Sequence, residues 1–154
     1  MILRRLVTAL LSMWFFGNLY EQLVWNPQLL ADPRPGSLIG VFAPGSPFYY
    51  YVPWSQLAVV LAVVVWFRLP RNSPARRRWT VALGFLIASV AAKVVLITQV
   101  NPVFRDPAVS REVVHDNAVV WAFGNGFVVL TVGVALLLIT SQRAQLGPAG
   151  TPPE

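Results

Sequence analysis

Two ionisable side chains of this 154-residue chain lie where the surrounding sequence is apolar. Glu21 is in the segment GNLYEQLVW, and Lys93, the only lysine of the chain, is in VAAKVVLI. A charge that stands alone in hydrocarbon is costly, so acids and bases inside a membrane face the protein interior and find partners. We therefore expect Glu21 and Lys93 to form a buried ion pair.

Polar residues of three predicted helices fall at one depth. At about 1.5 Å per residue from the nearer end of each predicted helix, Asn18, Lys93 and Asn125 lie about 10–12 Å deep. Asn18 shares a helical stripe with Trp14, and Asn125 shares one with Trp121, because the residues of each pair are one turn apart. The spacing predicts a polar pocket with aromatic walls, built by the first, third and fourth predicted helices.

The predicted site combines ionisable and neutral side chains. The predicted catalytic residues are Glu21, Lys93, His115 and Asp116. The predicted substrate-binding residues are Trp14, Asn18, Gln22, Ser89, Asn101, Trp121 and Asn125. Beside Asp116, His115 has the ordinary chemistry of a general base or proton relay near neutral pH. Two structural alternatives stay open: Glu21 and Lys93 as a clasp between helices, and His115 as a solvated loop residue.

The composition indicates a membrane protein. The chain is 56% hydrophobic and 12% charged, whereas soluble domains are roughly 25% charged. Four segments have the length and apolarity to cross the bilayer, at about 5–25, 50–69, 79–100 and 117–140. The predicted fold class is an all-α membrane protein, an antiparallel four-transmembrane-helix bundle in one domain, residues 1–145, with a disordered tail, 146–154.

The net charge of +6 follows membrane topology and predicts no nucleic-acid partner. Arginines precede the first predicted span, follow the fourth and fill the 68–78 connection. The positive-inside rule then puts both termini in the cytoplasm, in the inner membrane if the protein is bacterial. We read the first span as retained, because no small-residue cleavage site follows it. The expected partners are the lipid bilayer and a hydrophobic small molecule, with a homo-oligomer left open.

Several kinds of chemistry lack the residues that they need. The sequence has no cysteine and one histidine, which excludes disulfides, iron–sulfur clusters and bis-histidine haem. Glu21, His115 and Asp116 could ligate one metal ion, but repeated Glu-x-x-His pairs are absent and Lys93 would repel a cation. We therefore predict no metal and no cofactor. Gly-rich phosphate loops and nucleophilic serine motifs are also absent.

The connections and small residues predict how the bundle is assembled. A long extracytoplasmic loop rich in Pro and Gly, residues 26–49, joins the first two helices, and a second loop covers 101–116. Tyr49, Tyr50, Tyr51 and Trp54 fit an interfacial aromatic belt better than ligand contacts. Gly84, Ala88 and Ala92 on the third helix, and Gly124 and Gly126 on the fourth, predict close helix packing.

The pattern resembles the anthrone oxygenase-like family of small four-helix membrane proteins. The matching elements are GNLYEQ at 17–22, NPVFR at 101–105, and Trp121 followed one turn later by Asn125. The family element after the third span has its proline one residue later, and a second asparagine that this chain lacks. The resemblance covers the whole length in outline and these short motifs in detail.

The resemblance implies a cofactor-independent oxygenase that acts on a polycyclic phenol. A base, Glu21 or His115, would remove an acidic proton, and Lys93 would stabilise the resulting oxyanion. Two other functions stay open. One is a proton-coupled transporter that uses Glu21, and the other is an accessory membrane subunit whose polar residues dock against a larger complex.

Overall fold

The computed structural model describes residues 2–44, 46 and 48–141, with only the backbone of Tyr50. The predicted tail, 146–154, lies outside these residues. Within them the regular structure is helical. We number the helices α1 (Ile2–Ala31), α2 (Phe48–Tyr51), α3 (Trp54–Phe67), α4 (Pro74–Arg105) and α5 (Arg111–Thr140).

Three of these helices, α1, α4 and α5, are long and apolar enough to cross a membrane. The helix α3 is apolar but has only 14 residues, about 21 Å at the rise of an α-helix and short of the roughly 30 Å of hydrocarbon. The predicted second span, 50–69, is therefore not one helix. It divides between α2 and α3 at Val52 and Pro53, where the proline offers no N–H to a continuing helix.

Two π-helical turns interrupt the long helices, each directly before an Asn-Pro pair. In α1 the turn is Glu21–Trp25, and in α4 it is Leu96–Val100. The N–H of Asn26 donates to the carbonyl of Glu21, five residues back, and Asn101 donates to Leu96 in the same way. A proline lacks the N–H for the usual bond and crowds the carbonyl four residues earlier, so the preceding turn widens.

The Asn-Pro pairs therefore widen the helices without ending them, and α1 and α4 run past the predicted limits at 25 and 100. As a result the second predicted loop, 101–116, is much shorter in the structure. It covers only 106–110, because α5 begins at Arg111. The hydroxyl of Ser110 accepts a hydrogen bond from the N–H of Val113 and caps this helix start.

The helix α5 packs antiparallel to both α1 and α4. Ser89 and Thr131 share a hydrogen bond of 2.7 Å across α4 and α5, and an added Cβ at Gly133 would lie 3.1 Å from the ring of Phe15 in α1. An added Cβ at Gly124 would lie 2.8 Å from the side chain of Leu96, so this glycine permits the predicted close approach. The prediction for Gly84 is wrong: it is exposed, and an added Cβ would meet nothing within 4 Å.

The described residues between α1 and α2, 32–44 and 46, fold over one end of the bundle, which we call the loop end. The N–H of Leu38 donates to the carbonyl of Phe104, and Arg105 Nε donates to the carbonyl of Ile39, each at 3.1 Å. Gly36 has a φ of 67° and an added Cβ there would lie 3.4 Å from Pro107, a conformation that favours glycine. These contacts tie the segment to the loop end of α4.

Candidate functional site

The predicted ion pair is present and buried. Lys93 Nζ in α4 lies 3.0 Å from Glu21 Oε2 in α1, and the two side chains are 11% and 13% exposed. Lys93 Nζ also donates to Asn125 Oδ1 in α5 at 2.9 Å. The three long helices therefore meet at this ammonium group, as their common depth predicted. Two of its three N–H groups have oxygen acceptors.

A π turn lies close to each partner of the ion pair. Glu21 is the first residue of one π turn, and Lys93 comes three residues before the other, which begins at Leu96. Single π turns inside α-helices occur frequently at functional sites. An Asn-Pro pair thus follows each partner, five residues after Glu21 and eight residues after Lys93.

A group of amides holds the lysine's neutral partner in place. Asn125 Nδ2 donates to the backbone carbonyl of Asn18 at 2.9 Å and to Gln22 Oε1 at 3.2 Å. The Gln22 oxygen also accepts a hydrogen bond of 2.8 Å from Asn26 Nδ2. Because both amide protons of Asn125 point to these acceptors, its carbonyl oxygen is turned toward Lys93.

Aromatic rings surround the ammonium group on its remaining sides. Lys93 Nζ lies 4.9 Å from the ring centroid of Trp121 and 5.2 Å from that of Tyr51, distances at which a cation and a ring attract. Trp121 in turn packs edge-on against Trp25 and Phe104, with centroids 5.8 and 6.1 Å away. The lysine therefore sits between an acid, an amide and aromatic faces.

A cavity of about 630 Å³ opens beside this cluster at the loop end, within the range of about 300–1,000 Å³ found for small-molecule sites. Its apolar and aromatic lining residues are Trp14, Phe16, Gly17, Tyr20, Trp25, Leu38, Val41, Phe48, Tyr51, Val52, Val90, Val94, Ile97 and Trp121. Its polar and charged lining residues are Glu21, Ser46, Ser55, Gln56, Lys93, Asn101 and Arg105. Such a lining suits a largely apolar ligand with a few polar groups.

The cavity wall includes residues on the outside of the bundle. Phe16 and Tyr20 on α1, and Val90, Val94 and Ile97 on α4, line the cavity and are each more than a third exposed. The wall formed by α2 and the start of α3 is completed by Leu38, Val41 and Ser46. Both α1 and α4 therefore contribute apolar side chains that belong to the cavity wall and also to the surface of the bundle.

Two buried polar atoms of the lining residues have no hydrogen-bond partner within the described part of the chain. They are Asn101 Oδ1 and Trp121 Nε1, in side chains that are 8% and 4% exposed. An unmade hydrogen bond in the interior costs about 1–3 kcal/mol, so such groups need an explanation. Both residues line the cavity, but these two atoms are themselves almost wholly covered by neighbouring protein atoms.

Apart from His115 and Asp116, the predicted site residues divide into three groups. Glu21, Lys93, Trp14, Asn101 and Trp121 line the cavity. Asn18, Gln22 and Asn125 lie behind it in the hydrogen-bond network that supports Lys93. Ser89 is bonded to Thr131 and lies outside the cavity lining.

His115 and Asp116 lie apart from this site. They are close to each other, with His115 Nδ1 3.7 Å from Asp116 Oδ1, but their side chains are 49% and 76% exposed. Neither residue lines the cavity. Their predicted catalytic role gains no support from this placement and stays a prediction. The described residues contain no group of three His, Cys, Asp or Glu that could hold a metal ion.

Sequence reasoning missed four lining residues of consequence. Tyr51 was assigned to an interfacial belt, yet its ring faces Lys93. Ser55 and Gln56 lie at the start of α3, in the second predicted span, whereas the pocket was predicted from the first, third and fourth. Arg105 was counted as a loop charge, because α4 was expected to end at 100. The run of three tyrosines just before an apolar helix was the sequence feature that could have indicated a role for Tyr51 in the cavity.

Comparison with protein-family models, with curated proteins and with solved structures finds no match to this chain. The function must therefore be argued from the cavity and the residues around it.

Proposed function

We propose that this chain is a membrane enzyme, a cofactor-independent oxygenase that acts on a hydrophobic aromatic molecule. In this proposal α1, α3, α4 and α5 all cross the bilayer, with α2 lengthening the path of α3. The loop end faces away from the cytoplasm and both termini face it. The arginines at 68–78, opposite the loop end, support this orientation.

The observation that carries the proposal is an apolar, aromatic cavity of about 630 Å³ with a buried lysine–glutamate pair on its wall. A clasp between helices needs only the two charged groups. Here the pair also faces a space large enough for a polycyclic ring system, next to Trp121 and Tyr51. Aromatic substrates partition into lipid and can enter between α1 and α4.

The pair can move a proton without creating net charge in the membrane. A phenolic or enolisable substrate gives its proton to the Glu21 carboxylate, and the substrate anion then replaces that carboxylate as the partner of Lys93. One cation and one anion are present before and after the transfer. In a site that excludes water, a fixed ammonium stabilises such an oxyanion strongly.

Dioxygen is the oxidant in this proposal. The carbanion form of a ring CH₂ group donates an electron pair to O₂, a C–O bond forms, and the peroxide oxygen takes a proton back from Glu21. Loss of water from the hydroperoxide leaves a ketone, so CH₂ and O₂ become C=O and H₂O. No outside electrons are needed, which is consistent with the expectation of no organic cofactor.

Oxygen uptake tests the proposal. The purified chain in lipid nanodiscs is given 1,8-dihydroxyanthrone, and uptake is compared with protein-free nanodiscs. We expect Lys93→Met and Glu21→Gln each to reduce the protein-dependent rate by about 100-fold or more. Arg34→Gln, a substitution on the exposed surface, should leave the rate unchanged.

Two results would contradict the oxygenase. One is a rate of oxygen uptake that is the same in Lys93→Met, Glu21→Gln and the wild type. The other is proton flux driven by an aromatic substrate in sealed vesicles, abolished by Glu21→Gln and without oxygen uptake, which would instead favour the transporter.

A further inference from the structure

The charges that line the cavity do not cancel. Its charged lining residues are Glu21, Lys93 and Arg105. Lys93 and Glu21 neutralise each other at 3.0 Å, so Arg105 leaves the lining with one positive charge. A cavity with a net positive charge and mostly apolar walls favours an anionic amphiphile over a neutral one.

The guanidinium of Arg105 has donors to spare. Its Nε donates to the carbonyl of Ile39 at 3.1 Å, which fixes the plane of the group. The ion pairs found within the described residues do not include Arg105. Two acids of this end are engaged elsewhere: Asp32 by Arg34 and Arg111, and Asp106 by the N–H of Ala108.

The two charged positions of the cavity are far apart along one helix. Arg105 comes 12 residues after Lys93 in α4, about 18 Å at 1.5 Å per residue. Between them the cavity wall of α4 is formed by Val94 and Ile97, together with Asn101. A ligand that reaches both positions is therefore elongated, apolar in its middle and polar at both ends.

We propose that Arg105 binds a carboxylate of the ligand at the cavity rim, so that the protein selects aromatic acids over neutral analogues of the same shape. A guanidinium suits this task because its paired N–H groups match the two carboxylate oxygens. The inference rests on the ligand cavity of the proposed function but is independent of the oxygenation step. It adds the acidic group of the substrate and the residue that selects it.

Fluorescent probes of matched shape test the selection. The full chain in detergent is titrated with 1-pyrenebutyrate and with 1-pyrenebutanol, and binding is followed by energy transfer from tryptophan to pyrene. For each protein we take the dissociation constant of the alcohol divided by that of the acid. We expect this ratio to be about tenfold larger for the wild type than for Arg105→Gln. Partitioning of each probe into detergent is the same for every variant, so the ratio between variants reports the protein.

Two matched variants separate a contact from general charge. Arg105→Lys keeps the charge but loses the paired N–H groups, so it should retain only part of the preference. Arg111→Gln removes one positive charge from the same end of the molecule, at a residue that does not line the cavity, and should retain all of it.

The inference is overturned if Arg105→Gln keeps the preference, if Arg111→Gln loses it equally, or if neither probe binds. None of these results concerns oxygen uptake, so loss of selection and loss of the oxygenase are separate outcomes.

Discussion

Two ion clusters in this molecule use the same kind of bond in different surroundings. At the loop end, Asp32 is bound by Arg34 and by Arg111, whose Nη2 lies 2.8 Å from Asp32 Oδ1. These side chains are 39%, 71% and 67% exposed. The Lys93 and Glu21 side chains are only 11% and 13% exposed. Distance alone does not distinguish the clusters, but access to solvent does.

Access to solvent decides which cluster can bind a ligand anion. Exposed pairs are screened by water and salt, so the Asp32 cluster contributes as a latch between the end of α1 and the start of α5. A buried pair pays for the removal of both ions from water and holds only while both are present. A ligand anion that displaces Glu21 is therefore felt strongly at Lys93, whereas the same anion at the Asp32 cluster would meet competing water.

Removing one charge of the buried pair should have the largest effect on stability. We expect Lys93→Met to lower the free energy of unfolding by about 3–5 kcal/mol, because Glu21 is left as an uncompensated charge. The measurement is unfolding in mixed detergent followed by circular dichroism. The double variant Lys93→Met with Glu21→Gln should recover most of this loss but no oxygen uptake. If the single variant is as stable as the wild type, the pair is not buried as described.

Removing the amide that orients the lysine should cost less. Asn125→Leu deletes one acceptor of Lys93 and the donor to Asn18 and Gln22. We expect a loss of about 1–3 kcal/mol in the same unfolding measurement, since neutral and charge-assisted bonds are lost but no charge is orphaned. A loss equal to that of Lys93→Met would mean that the amides, and not the ion pair, hold the three helices together at this level.

The hydrogen bond between Ser89 and Thr131 is a neutral counterpart of the buried ion pair. Ser89→Ala removes the 2.7 Å bond to Thr131, while the Thr131 hydroxyl keeps the carbonyl of Phe127 as an acceptor. Because no polar group is orphaned, we expect a loss of about 0.6 kcal/mol, the usual size for such bonds between membrane helices. Oxygen uptake should be unchanged, since Ser89 does not line the cavity.

The ion pair could be predicted because Glu21 and Lys93 both lie in apolar sequence, where a charged group needs a partner of opposite charge. The common depth of Asn18, Lys93 and Asn125 also follows from counting residues, and the hydrogen bonds confirm that the three helices meet there. The same periodicity places His115 off the buried face of its helix. The buried stripe of α5 is Val114, Ala118, Trp121 and Asn125, and His115 lies one residue off it.

The outer part of the cavity could not be predicted because it depends on the two Asn-Pro pairs. A proline normally suggests that a helix ends. With Pro27 and Pro102 in the sequence, the first and third helices were predicted to end at 25 and 100. The structure instead accommodates each proline with a π turn and continues. That continuation carries Arg105 to the cavity, and the sequence holds no local signal for it.

The smallest effect is expected at the exposed cluster, and it should depend on pH. The hydrogen bond from Arg34, together with the charge of Arg111, holds the pKa of Asp32 below its ordinary value. A carboxylate with a lowered pKa in the folded state stabilises the fold above its unfolded pKa, and this contribution is lost as the pH falls through the folded value. The difference in thermal midpoint between wild type and Asp32→Asn should therefore be constant near neutral pH and shrink as the pH falls below about 4. Added salt should shrink it at neutral pH as well, whereas the effect of Lys93→Met should resist salt. A midpoint difference that grows in acid would contradict the latch.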